Sequence, residues 1–146
     1  MSTFRQIGRN AVGQTVPQLS EAEELASKRE NNCLYILRRL AEDPDLTPEL
    51  QHTILHSMYI YVLRGLAKNP RLCPLMQARL VEYKDTYLLE NLACNWSITP
   101  ETQNILAQSS DLTVLNLLTY NESLTPEAMG ILANNIKQLT TKGEDK

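Results

Sequence analysis

Apolar residues recur along this chain with two superposed periods. Within short stretches the spacing is helical: Ile36, Leu37, Leu40 and Ala41 fall at i, i+1, i+4 and i+5, a stripe along one helix face rather than the alternation of a strand. Over a longer range the stretch returns every 26 residues, beginning at Tyr35, Tyr61, Tyr87 and Thr113. Such a fixed period marks a stacked array in which each unit buries its apolar face against its neighbours.

Polar residues and prolines punctuate each unit at matching places. Asp43-Pro44, Asn69-Pro70, Asn95-Trp96 and Asn121-Glu122 close the first helix, because Asn and Asp tolerate the left-handed conformation and proline resists helical continuation. An apolar residue, a cap and a proline follow, as Leu46-Thr47-Pro48, Leu72-Cys73-Pro74, Ile98-Thr99-Pro100 and Leu124-Thr125-Pro126. Thr accepts from free amides, proline loses no bond at the first helical position, and Glu49, Glu101 or Glu127 meets the positive end of the helix. A second helix is expected from there through Gln51, Gln77 and Gln103 to the apolar pairs Ile54-Leu55, Leu80-Val81, Leu106-Ala107 and Leu132-Ala133.

Aligning the units predicts exposure column by column. Leu37, Leu63, Leu89 and Leu115, with Leu40, Leu66, Leu92 and Leu118, are expected to line a continuous core. Ser20 and Glu23 form the pattern of a capping box, and Leu19, Ala22, Leu25 and Ala26 give a helical face, so a capping helix over 17–34 is expected to close the first unit. Residues 1–16 read as a mobile arm, 35–138 as four two-helix repeats and 139–146 as a polar tail. The class is all-α, an α-solenoid.

The stretch Leu63-Arg64-Gly65-Leu66-Ala67-Lys68-Asn69-Pro70-Arg71-Leu72-Cys73-Pro74 resembles the variant leucine-rich repeat of bacterial proteins, a short relative in style of HEAT and armadillo arrays. The resemblance covers Tyr35 to about Gln138 and implies a right-handed superhelix, with one element of each unit short or of 3-10 character. The unit is slightly longer than the commonest spacing of that family, which leaves a HEAT-like two-helix repeat equally open. One member type carries an iron–sulfur cluster on an N-terminal group of cysteines; here Cys33 alone lies near the start, and no cluster is expected.

Composition narrows the class further. With 146 residues, 42% of them hydrophobic and only 5% aromatic, the chain suits one helical domain with a Leu, Ile, Val and Ala core. No window approaches the roughly 18 apolar residues of a membrane span, and no export signal is read at the N-terminus. Cys33, Cys73 and Cys94 are odd in number, widely spaced and without a CxxC pair, which points to a reducing, cytoplasmic setting. Net charge is −3, unevenly placed: between Lys84 and Lys137 there is no Lys or Arg, while six carboxylates lie in that interval.

Candidate chemistry is sparse. His52 and His56 stand four apart, the spacing of metal-binding helices, but their columns otherwise hold Ala78, Asn104, Gly130 and Glu82, Gln108, Asn134. They are expected on the surface, with no metal and no cofactor. Cys73 occupies a column of threonines and reads as a substitute cap rather than a reactive thiol. No nucleophile elbow or phosphate-binding glycine loop is present, and a non-enzymatic role is expected.

Two surfaces stand out as partner-binding candidates. Arg38, Arg39, Arg64, Lys68 and Arg71 form a basic group beside the column Tyr35, Tyr61 and Tyr87, although Arg38 can also pair with Glu42 and the tyrosines can pack between units. Trp96 and Tyr120 place large aromatics in columns that are otherwise exposed, and Leu117 stands in the column of Arg39, Gly65 and Asn91; they read as interface anchors, with rings lying over the adjacent turn the equal alternative. The expected function is a non-catalytic protein-binding module or small regulator, the basic units steering and the aromatic residues anchoring. Nucleic-acid binding along the basic ridge is the alternative, disfavoured by a pI of 5.4 and the acidic later units. Self-assembly, acidic end against basic part, is the other.

Overall fold

The computed structural model describes residues 7–9, 15–17 and 20–144 of the chain. These divide into two compact units, Met1–Tyr35 and Ile36–Lys146. In the first, β1 (Ile7–Arg9) pairs antiparallel with β2 (Thr15–Pro17), with Gly8 opposite Val16. The rest of the expected arm, 1–16, lies outside the described residues. The helix α1 (Glu21–Ala41) begins at the predicted capping box: the Ser20 N–H donates to Glu23 Oε2 at 2.8 Å and the Glu23 N–H to Ser20 Oγ at 3.3 Å. It does not stop at 34. Neither Gly nor Pro interrupts Glu21 to Ala41, so the segment expected as a separate capping helix and the first helix of the first repeat form one element of 21 residues.

The second unit is entirely helical among its described residues. After the last turn of α1 come α2 (Pro48–Leu55), α3 (Ile60–Leu66), α4 (Pro74–Leu80), α5 (Thr86–Cys94), α6 (Pro100–Ala107), α7 (Leu112–Thr119) and α8 (Pro126–Glu144). Every even-numbered helix from α2 begins on its predicted proline. The hydroxyls of Thr47, Thr99 and Thr125 accept from the N–H groups of Leu50, Thr102 and Ala128 at 3.1–3.3 Å. Asp85 and Asp111 cap α5 and α7 in the same way. Helix α8 carries on through most of the expected polar tail, because no proline or capping residue stops it after Ile136, Lys137, Gln138 and Leu139.

Helix α5 packs against α3 and α7, α6 against α7 and α8, and α2 against α3 and α4. The core between them holds Val62, Leu66, Leu88, Leu92, Val114 and Leu118, all fully buried. Two expected core columns are only partly so. Leu63 and Leu115 are buried, whereas Leu37 and Leu89 are half-buried. Leu40 remains 42% exposed, because the second unit contains no helix before its own to play the part that α3 plays for Leu92.

Two polar columns lie inside this core. Gln51, Gln77 and Gln103 are buried, each donating from Nε2 to the carbonyls of Leu46 and Arg71, Leu72 and Ser97, or Ile98 and Ser123. Their Oε1 atoms accept the N–H groups of Cys73, Thr99 and Thr125. Asn69, Asn95 and Asn121 do the same at the other corner, their Nδ2 groups donating to Ala41 and Asp43, Ala67 and Asn69, or Ala93 and Asn95. The first helices therefore do not end in left-handed Asn. Among the described residues only Met58, at φ 61°, is a non-glycine with positive φ, and the asparagines end helices by binding backbone one unit back.

Candidate functional site

The basic group sits on the row formed by the end of α1 with α3 and α5, and its members engage one another's units. Arg38 lies 4.5 Å over the Tyr61 ring and 3.5 Å from Glu42. Arg64 repeats the arrangement 4.8 Å over Tyr87, and there the guanidinium grips Asp85 with two bonds, Nε to Oδ1 at 2.8 Å and Nη2 to Oδ2 at 2.7 Å. Gly65 makes room for the first pair: a Cβ there would stand 2.7 Å from Arg38 Cγ and 3.0 Å from Arg38 O.

Electrostatics follow from that grip. The Arg64 hydrogen bonds hold the Asp85 carboxyl below its ordinary range; burial works in the opposite direction, and the Leu88 N–H adds to the lowering. Arg64 is held above its usual value by the same bonds, against the cost of burial. A charge-assisted, two-bond pair of this kind commits both partners. Arg38, Arg64 and Lys68, with Tyr87 and Asn91, line a shallow groove of about 290 Å³. Arg39 and Arg71 are exposed and do not line it. Of the five basic candidates, three are thus brought together, and Arg64 already has an internal partner.

The aromatic candidates are displayed at helix ends. Trp96 follows α5 and is 65% exposed; Tyr120 forms the C-cap of α7 and is 74% exposed. Leu117 is half-buried on α7. Since α5 and α7 pack together, the two rings project from neighbouring helices.

A larger groove, of about 510 Å³, lies on α2, α4 and the turns after them, a place the sequence marks only by its histidine pair. His52, His56, Met58, Met76, Glu82 and Tyr83 are among its walls. Tyr83 Oη lies 3.7 Å from Met58 Sδ, and Met58 is 70% exposed in its left-handed conformation. The column of Met58 holds Lys84, Ser110 and Ile136. Beside the histidine pair, the further signal is a methionine replacing those residues in a tight turn.

The cysteines are all free thiols. Cys73 does not act as the expected substitute cap, for its side chain makes no cap bond; its N–H donates to Gln51 and its carbonyl accepts from the Gln77 N–H. Sulfur is a poor acceptor for an amide at this position. Burial, and then the charge of Glu90, push the Cys94 thiol up, with Lys68 opposing. Among the described residues no group of three or more His, Cys, Asp or Glu could hold a metal, and no helix is long and apolar enough to cross a membrane.

No family model matches the chain, and neither a curated protein nor a solved structure matches it.

Proposed function

We propose that the chain is a right-handed α-solenoid of four 26-residue two-helix repeats, of the variant leucine-rich or HEAT-like kind, serving in the cytoplasm as a non-catalytic protein-binding module or small regulator. Side-chain amides that recur at one-unit spacing on both corners support the repeat reading. The observation that carries the binding reading is the display of Trp96 and Tyr120, 65% and 74% exposed, on adjoining helices. Rings of this size left in water supply the buried anchors on which protein interfaces concentrate their energy.

Nucleic-acid binding has less support, because the guanidinium of Arg64 is spent on Asp85 and phosphate would have to displace a bidentate carboxylate. The deciding experiment is affinity capture with the intact chain and with the Trp96→Ala, Tyr120→Ala double variant. Loss of the captured protein, with an unchanged melting temperature, supports the reading. Equal capture by both chains overturns it.

A further inference from the structure

The two histidines on α2 face each other. Their Nε2 atoms are 3.1 Å apart, with ring centroids at 4.3 Å and planes crossing at 74°. Both residues are exposed, and neither imidazole bonds to another side chain among the described residues. The fold requires an imidazole in neither column, since later units place Ala78, Asn104 and Gly130, or Glu82, Gln108 and Asn134, there.

From this geometry we propose that His52 and His56 form a two-point chelate for a first-row transition-metal ion, with Cu²⁺ the favoured species. Metal–imidazole bonds of about 2.0–2.1 Å on nitrogens 3.1 Å apart enclose an angle of about 100° at the ion, within the range of cis ligands. One turn of helix supplies the chelate spacing, so both nitrogens reach the ion without backbone movement. Imidazole nitrogen selects Zn²⁺, Ni²⁺ and Cu²⁺ over hard cations, and the general order of stability places Cu²⁺ first among them. Met58 and Met76 line the same groove, and among the described residues no third His, Cys, Asp or Glu joins the pair, so the remaining positions at the ion are left to solvent. With two protein nitrogens the site is open and exchangeable. It serves to take up or pass on an ion rather than to hold the fold together.

The test uses the full chain and Cu²⁺ alone, followed by calorimetry and electron paramagnetic resonance. One ion per chain is expected, with nitrogen splitting from two imidazoles. His52→Ala and His56→Ala should each weaken binding at least about tenfold, because each ring holds the ion close to the other. Cys73→Ser should change neither affinity nor spectrum. Circular dichroism should show both alanine variants folded. Binding that survives both substitutions with the same spectrum, as at the amino terminus, overturns the proposal, as does the absence of saturable binding at one ion per chain.

Discussion

The side-chain carbonyl of Gln77 accepts the backbone N–H of Thr99 at 2.7 Å, while its amide donates to Leu72 and Ser97 at 3.0 Å each. One buried side chain thus satisfies three backbone groups, one ahead of its own helix and two at the start of the next even-numbered helix. Gln77→Met keeps the volume and removes all three bonds. Each orphaned buried group costs about 1–3 kcal/mol, so the variant should lose about 3 kcal/mol or more of stability in urea unfolding. A loss below about 1 kcal/mol would mean that water reaches these groups.

Asp85 makes stability depend on acid. Its folded pKa is depressed by Arg64, so the pair's contribution is complete above the ordinary carboxylate value of about 3.9 and is lost as pH falls through the folded value. Asp85→Asn retains the cap on α5, since Asn caps as well as Asp. At pH 7 it should be less stable by about 1 kcal/mol. Guanidinium melts at descending pH should show that gap closing below about pH 4; a gap independent of pH would assign the effect to shape rather than charge.

Gly65→Ala sets two effects against each other. Alanine raises helix propensity by about 1 kcal/mol, but its Cβ would meet Arg38 Cγ at 2.7 Å and a backbone oxygen at 3.0 Å. Overpacking against a fixed carbonyl costs about 1–3 kcal/mol, so the melting temperature should fall, and Arg38 should leave the Tyr61 ring. An increase would show that the end of α1 shifts freely.

Cys73→Thr should stabilise the chain. Its equivalents Thr47, Thr99 and Thr125 each accept the N–H three residues on, and Cys73 does not. Restoring a hydroxyl gives α4 a cap on Met76 worth about 1 kcal/mol. An unchanged urea midpoint would show that this turn differs from its counterparts.

The helical class and the helix starts were legible because they rest on local chemistry: Thr-Pro at a helix start acts through its own neighbours. The amide columns were visible but misread. Gln51, Gln77 and Gln103 looked like markers along a helix, and Asn69, Asn95 and Asn121 like terminators, because a polar residue in one sequence gives no sign of a partner 20 or more residues away. The basic candidates fared similarly. Arg38 and Arg64 share a column, yet only the fold sets Arg64 against Asp85 across 21 positions. Of the Met58 groove the sequence shows only the histidine pair, since its shape depends on one turn with an unusual backbone.

The reach of the amides also makes the length of the chain quantised. Removal of 70–95 would leave Gln51 facing Ser97 and Thr99 in place of Arg71 and Cys73, and would leave Asn121 donating to Ala67 and Asn69 in place of Ala93 and Asn95. Every donor would still find an acceptor of the same kind. Removal of a single residue from that interval would put each later amide out of step with its partner. A step of 26 residues keeps these pairings in register, and a fraction of that step does not.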